Sequence, residues 1–225
     1  GARGAAGLLA VGRSTLAAAA ERSRLVFHVL TARSERAAIE EYLLQLTADE
    51  LAGAIVGVLL LDPLVSEPTS VLLEEARFRL PNVLPATVRK VLYVDVDTLV
   101  LADPIPMIDA AFEGKQSACA ISVVPRPHKR LLSSLNLTHR QAIALGLTAL
   151  PSSAYMFNAG VMLLNLDAWR GGGFAGRVQQ LARSLAASGF NGLPGMSTPS
   201  DSQSTLCLFF HNMSSSIQEM PLPWN

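Results

Sequence analysis

Two aspartates separated by one residue, Asp95 and Asp97, directly follow a short apolar segment. That segment, residues 91–94, has the β-branched and aromatic composition typical of a strand. In an extended chain, side chains i and i+2 point to the same side, so both carboxylates can be directed at one point. Two carboxylates so close repel each other unless a cation lies between them. Mg²⁺ and Mn²⁺ prefer such oxygen ligands and bind one or two carboxylates plus substrate phosphates. The pattern favours a site for a divalent cation and a diphosphate, and the alternative is a solvated turn.

The elements that must position this pair alternate between strands and helices. We predict strands at 24–30, 52–61, 91–94, 118–124 and 160–166, and helices at 7–22, 35–46, 70–79 (stopped near Pro81) and 174–188. Such alternation predicts an α/β fold, with a mostly parallel central sheet flanked by helices. Ligands of these sheets bind outside the carboxyl ends of the strands, which is where the aspartate pair lies.

Composition excludes several classes of protein. The 225 residues, half of them hydrophobic, suffice for one domain with a single core. Eighteen basic residues balance eighteen acidic ones, so nothing indicates a nucleic-acid partner or a polybasic membrane surface. The longest apolar run, residues 51–61, is too short to span a bilayer. Cys119 and Cys207 form no C-x-x-C pair, which argues against a zinc or redox motif and leaves two buried thiols or one disulfide.

Five sequence blocks follow one another along the chain. They are R-F-R-L-P-N-V-L-P (77–85), K-V-L-Y-V-D-V-D-T-L-V (90–100), F-N-A-G-V-M-L-L-N-L-D-A-W-R (157–170), S-D-S-Q-S-T-L (200–206) and L-P-W-N (222–225). In order and spacing they resemble the blocks of glycosyltransferase family 8, and such an ordered set is far more specific than one D-x-D pair. The resemblance covers residues 24–225. It implies a GT-A fold and a retaining enzyme that uses a nucleotide-sugar donor.

The resemblance also implies roles for residues near the first strand end. Asp95 and Asp97 match the metal-binding pair of the family, with Asp95 also close to the ribose of the donor. Arg77 matches a basic residue that contacts the nucleotide sugar. A cation held by the two aspartates, Mn²⁺ or Mg²⁺, would neutralise the departing diphosphate.

Further matches concern the sugar of the donor. Asn158, Ala159 and Gly160 match a loop that lines the donor-sugar pocket. Asp201 and Gln203 fall near an acidic–amide pair beside the anomeric carbon, although that pair is adjacent in the family and one residue separates it here. Oxygen dipoles of Gln203 or Asp201 would then stabilise the oxocarbenium character of the sugar.

These roles predict transfer of a hexosyl or uronosyl group from a UDP-sugar to a carbohydrate acceptor, with retention of configuration. We expect residues 126–150, a long and irregular segment that is polar in places, to bind the acceptor. A uronate donor would need a cation near its carboxylate, and Arg126, Lys129 and Arg130 are the candidates.

The family pattern extends beyond both ends of the chain. Members begin with a nucleotide-binding strand, and they carry a downstream His-x-x-Gly-x-x-Lys block that supplies a third metal ligand and a diphosphate-binding lysine. The histidines of this chain do not match that block: His28, His128, His139 and His211. We therefore expect residues 1–225 to be a single catalytic domain that is incomplete at both termini. We expect it to bind UDP weakly and to turn over poorly.

Two alternatives remain open. One is a non-catalytic protein that keeps the fold and binds a nucleotide sugar. The other is a metal-dependent nucleotidyltransferase or hydrolase, which the R-F-R-L-P and F-N-A-G blocks disfavour. Glycosylation sequons at 136–138 and 212–214 agree with an enzyme of the Golgi lumen, held to the membrane only by an anchor outside this chain. A cytoplasmic location is the alternative.

Overall fold

Two units, each discontinuous in sequence, make up the chain in a computed structural model that describes residues 2–61, 75–188 and 201–220. The first unit comprises Gly1–Arg77 and Val94–Ala110, and the second comprises Phe78–Tyr93 and Ala111–Asn225. That the two units together form a single catalytic domain stays a prediction.

The first unit combines a short parallel sheet with helices. Its elements are α1 (Ala2–Ala18), β1 (Val26–Ala32), α2 (Arg36–Leu43), α3 (Ala48–Leu51), β2 (Ile55–Leu61), the start of α4 (Ala76–Val83) and α5 (Ile105–Ala110). Strands β1 and β2 pair in parallel, with Val26 opposite Ile55. A core cluster of Leu16, Ala19 and neighbouring apolar residues joins α1 to the region around Ile105.

The second unit contains a four-stranded mixed sheet. Its elements are β3 (Lys90–Val94), β4 (Ile121–Arg130), α6 (Leu131–Ser134), α7 (His139–Ala144), β5 (Tyr155–Asn165), α8 (Leu166–Gly171), α9 (Phe174–Ala187), α10 (Ser202–Asn212) and β6 (Ile217–Glu219). The strand order is β3-β5-β4-β6. Strands β4 and β6 are parallel, whereas β4 and β5 are antiparallel. The α/β fold is confirmed, and the antiparallel pair is the departure from mostly parallel pairing.

An aromatic cluster fixes the helices of the second unit. Trp169 is buried and donates from Nε1 to the Ala120 carbonyl at 3.0 Å. Its ring lies 5.4 Å from the ring of Phe210 and 6.2 Å from that of Phe174. Phe157 is also fully buried. Trp169 and Phe157 therefore belong to the core, where aromatic side chains contribute large apolar area.

Polar caps explain where several helices begin. The Thr47 hydroxyl accepts from the Glu50 amide at 3.1 Å, and the Glu50 carboxylate accepts from the Thr47 amide at 2.8 Å. This capping box satisfies amide groups that have no partner within the helix. Thr138 and Gln141 form the same arrangement at α7.

Several predicted bounds differ from those observed. Strand β5 begins five residues before the predicted start at 160, so the F-N-A-G block lies within the strand. Helix α4 includes Pro81 and ends close to it, at Val83, and residues 70–74 of the predicted helix lie outside the described residues. The predicted irregular segment 126–150 contains the end of β4 and two short helices.

The structure also bears on the two cysteines and on the apolar character of the helices. Cys119 and Cys207 are both free thiols, so the disulfide alternative is wrong for this structure. In the described part of the chain, no helix has the length and apolar character that crossing a bilayer requires.

Candidate active site

Asp95 and Asp97 lie in a tight turn. Strand β3 ends at Val94, and the Thr98 amide donates to the Asp95 carbonyl at 3.2 Å, which closes a four-residue turn. Asp97 is exposed and Asp95 is half-buried. The prediction of an extended i, i+2 pair is wrong, because the backbone reverses at this point. What remains is two carboxylates presented by one hydrogen-bonded turn.

Arg77 lies beside the first of these carboxylates. Its Nη2 atom is 3.6 Å from Oδ1 of Asp95, with the side chains 11% and 34% exposed. At that distance the two groups form an ion pair but are too far apart for a hydrogen bond. Of the predicted site residues in the first unit, the structure thus brings Arg77 and Asp95 together.

The donor set of the turn suits a hard cation. Over residues 2–61, 75–188 and 201–220, no three His, Cys, Asp or Glu side chains cluster in a way that would hold a metal ion. Two carboxylates alone do not make a zinc site, which takes three or four protein ligands. They do fit Mg²⁺ or Mn²⁺, which complete their coordination with water and substrate phosphates.

His211, one of the four histidines, packs inside the second unit. It lies buried in α10, and burial lowers the pKa of its imidazole. Its ring packs edge-on against Tyr155, with 4.8 Å between the ring centroids. His211 is thus a packed residue of the second unit.

The F-N-A-G block forms a bulge in strand β5. Val123 of β4 lies opposite Met162, but the next residue, Val124, lies opposite Asn158. Residues 159–161 are therefore extra in β5 relative to its register with β4. The prediction of a loop is corrected to a bulge within a strand, a feature that often redirects side chains next to active sites.

Side-chain oxygens accept hydrogen bonds from the backbone amides of the bulge. Asn158 Oδ1 accepts from the Gly160 amide at 3.1 Å, and Gln203 Oε1 accepts from the Ala159 amide at 3.2 Å. The structure thus brings together four residues that the sequence predicted. The Gln203 oxygen accepts one hydrogen bond from the bulge, and the predicted role of Gln203 beside the anomeric carbon stays a prediction. The amide N–H groups of Gln203 are the donors that the side chain offers to a ligand.

A cysteine that sequence reasoning left without a role helps to place Gln203. Cys207 lies one turn further along α10, and its Sγ accepts from the Phe157 amide at 3.3 Å. Four residues of helix rise about 6 Å, close to the roughly 6.6 Å spanned by two residues of a strand. Gln203 and Cys207 therefore bond to alternate amides of β5. The available signal was the i, i+4 spacing of Gln203 and Cys207, which places both side chains on one face of the helix.

Asp201 is the N-cap of α10. Its Oδ1 accepts from the Ser204 amide at 2.7 Å and its Oδ2 from the Ser204 hydroxyl at 2.9 Å. Both carboxylate oxygens thus serve the start of the helix that carries Gln203. This observation favours a structural role for Asp201, and its catalytic role stays a prediction.

Two substitutions of Asp201 separate these roles. Because asparagine caps as well as aspartate, we expect Asp201→Asn to change the free energy of unfolding by less than about 0.5 kcal/mol, whereas Asp201→Ala should lower it by about 1 kcal/mol. Urea denaturation measures both. A large loss of transferase activity in a stable Asp201→Asn protein would restore the catalytic role.

Known proteins resemble this chain in sequence profile and in fold. The sequence profile of glycosyl transferase family 8 matches residues 61–225. No curated protein matches the chain by sequence. The galactosyltransferase LgtC, solved with donor and acceptor sugar analogs, is similar in structure with a TM-score of 0.61 and 20% identity, over 96% of this chain and 69% of that one. Mouse xyloside xylosyltransferase 1 gives a TM-score of 0.62 and 13% identity, over 95% and 79%.

The Streptococcus pneumoniae glycosyltransferase GlyE is similar at a TM-score of 0.59 and 16% identity, and the match covers 98% of this chain and 43% of that protein. These structural likenesses show the GT-A fold, and the profile match covers most of the chain. The chain therefore belongs to glycosyl transferase family 8 and is a glycosyltransferase of the GT-A fold.

Proposed function

We propose that this glycosyltransferase moves a hexosyl or uronosyl group from a UDP-sugar to a carbohydrate acceptor, with retention of configuration and with help from Mn²⁺ or Mg²⁺. The observation that carries the proposal is the D-V-D turn, whose Asp95 carboxylate lies 3.6 Å from the Arg77 guanidinium in a chain of this family. A carboxylate pair beside a partly buried guanidinium suits a cation–diphosphate group, which carries charges of both signs.

The residues of the first unit would serve the nucleotide diphosphate. Asp95 and Asp97 would hold the cation. When bound, it supplies Lewis-acid neutralisation of the charge that develops on the leaving diphosphate. Arg77 offers N–H donors to phosphate or ribose oxygens, in the forked geometry that arginine uses for phosphates. Its partial burial limits the motion of the side chain, so the donors are already oriented before the substrate arrives.

The residues of the second unit would serve the sugar. Bonds from Asn158 and Gln203 fix the bulge, which keeps Ala159 and Gly160 in one conformation. Gln203 would then donate from its amide nitrogen to an oxygen of the donor. An active-site glutamine is the residue replaced by glutamate in one of the LgtC structures, which supports a role for a glutamine in this site. Retention requires the acceptor oxygen to end on the face of the anomeric carbon that UDP leaves.

The acceptor and the kind of sugar are proposed from the same unit. Residues 126–150 would bind the carbohydrate acceptor, and LgtC has been solved with an acceptor sugar analog. For a uronate donor, Arg126 and Lys129 are the better candidates, because Arg130 already donates to the Ser153 carbonyl at 2.7 Å. We propose the Golgi lumen as the location, on the basis of the two sequons, and the cytoplasm as the alternative.

Calorimetry of UDP binding with and without Mn²⁺ tests the proposal. We expect Mn²⁺ to tighten binding by at least about tenfold, equivalent to roughly 1.4 kcal/mol. Equal affinity in both buffers would remove the cation from the proposed function. In a version extended at both ends, UDP release with acceptor present should reveal turnover. UDP binding without turnover in that protein would favour the non-catalytic alternative.

NMR of the anomeric proton of the product then tests retention. An α-linked product from an α-linked donor is expected, and a β-linked product would exclude a retaining reaction.

A further inference from the structure

Helix α1 packs with its backbone directly on the D-V-D turn. The close point is Gly7, because a methyl group added there would overlap the carbonyl oxygen of Val96, the middle residue of the turn. The same methyl would lie 3.2 Å from the Val96 carbonyl carbon and 3.4 Å from its Cβ. Only glycine allows a helix to lie this close to the turn.

Two turns further along the same helix, Ser14 holds the segment that leaves the turn. Its Oγ accepts from the Val100 amide at 3.1 Å and donates to the Val11 carbonyl at 3.0 Å. Two residues beyond the end of α1, the Ala20 amide donates to Asp103 Oδ2 at 3.1 Å. Residues 96–103 therefore contact α1 at two points and the residue Ala20 at a third, each within the first unit.

We propose that α1 is a positioning element for the cation-binding turn, with Gly7 setting how closely the turn approaches and Ser14 fixing the segment that follows it through the Val100 amide. Val96 lies between the two carboxylates, so a shift of its carbonyl moves both of them. Cation sites tolerate changes in ligand distance of only about 0.2 Å, whereas a clashing methyl demands a larger displacement. This inference rests on the proposed function, since it assigns the purpose of the turn.

The same helix provides a matched control. Gly12 also lies in α1, and a methyl group added there meets no atom within 4 Å. Gly7→Ala and Gly12→Ala therefore bring the same gain in helix propensity. They differ in the contact with Val96. A role limited to helix stability would make the two variants behave alike.

Calorimetry of wild type, Gly7→Ala and Gly12→Ala with UDP, in the presence and absence of Mn²⁺, measures the effect. We expect Gly7→Ala to weaken the Mn²⁺-dependent part of the UDP affinity at least about tenfold and to leave UDP binding without Mn²⁺ unchanged. Gly12→Ala should match wild type. Equal affinities for the two variants would overturn the inference.

Amide hydrogen exchange gives a readout that needs no ligand. Ser14→Ala should speed exchange at the Val100 amide at least about tenfold, while Ser14→Thr, which keeps the hydroxyl, should restore slow exchange. If Gly7→Ala does not fold, this serine pair decides the inference. Unchanged exchange in Ser14→Ala would overturn it. If wild type shows no Mn²⁺-dependent UDP binding, the proposed function fails, and the exchange data still decide whether α1 holds the turn.

Discussion

Replacing Arg170 with alanine is expected to lower the free energy of unfolding of the second unit by about 3 kcal/mol. The guanidinium of this residue in α8 donates to five backbone carbonyl oxygens. The acceptors and distances are Pro81 (3.0 Å), Leu84 (3.2 Å), Pro85 (3.0 Å), Ala86 (3.4 Å) and Val88 (2.9 Å). They belong to the end of α4 and to the loop that leads into β3. Carbonyls at a helix end need partners outside the helix, and Arg170 supplies them.

The size of the effect follows from charge and burial. Hydrogen bonds from a charged donor contribute more than neutral ones, and the Arg170 side chain is only 23% exposed. Water can therefore replace the guanidinium only in part. Lysine has three donors on one atom and lacks the planar fork, so Arg170→Lys should recover less than half of the loss.

Urea denaturation at constant slope measures these changes. Arg183 provides the control, because it is an exposed arginine in helix α9 of the same unit. Arg183→Ala should change the free energy of unfolding by less than about 0.5 kcal/mol. A loss below about 1 kcal/mol in Arg170→Ala would show that solvent satisfies the five carbonyls without help.

The second large effect is expected on UDP binding when Asp97 is replaced by asparagine, which keeps the shape of the side chain and removes its charge. We expect Asp97→Asn to reduce the Mn²⁺-dependent UDP affinity at least about thirtyfold, and to reduce turnover of the extended protein by roughly 10²- to 10³-fold. The reason is that one of the two carboxylates offered to the cation is lost. Because Asp97 is exposed, the free energy of unfolding should change by less than about 0.5 kcal/mol.

A matched charge removal in the same unit controls for net charge. Asp109 is exposed and pairs with Arg24 at 2.9 Å, so Asp109→Asn removes the same charge outside the turn. It should leave UDP affinity and its Mn²⁺ dependence unchanged. An Asp97→Asn protein that binds UDP as tightly as Asp109→Asn, with Mn²⁺ present, would exclude Asp97 as a ligand.

The sequence predicted those features that have a strong local signal. The predicted helix at 174–188 closely matches α9, because its apolar residues recur at helical spacing and a glycine run precedes it. The end of β3 before Asp95 was also predicted, since an apolar run stops there. The chemistry of the site was predicted largely through the resemblance to the family. The motifs identify the residue types of the site, but they do not give the positions of the side chains.

What the sequence did not predict depends on tertiary contacts. Helix α10 begins with Ser-Gln-Ser-Thr, in which the two serines and the threonine are weak helix formers, and it is held by the Asp201 cap and by burial against β5. The bulge at 159–161 was read as a loop, because its stabilising contacts come in part from Gln203 of α10, which is distant in sequence. The Arg170 contacts join residues more than 80 positions apart, and no local pattern signals them.

The buried thiol of Cys207 provides a chemical probe of how often α10 separates from β5. Burial raises its pKa to about 12, so almost no thiolate forms at neutral pH while α10 stays on β5. Cys119 is only half-buried and can meet an alkylating reagent first, although burial raises its pKa too. Once Cys119 is blocked, the rate at which a reagent alkylates Cys207 reports how often α10 separates from the bulge by local opening. Those openings are also the moments when Gln203 leaves the Ala159 amide.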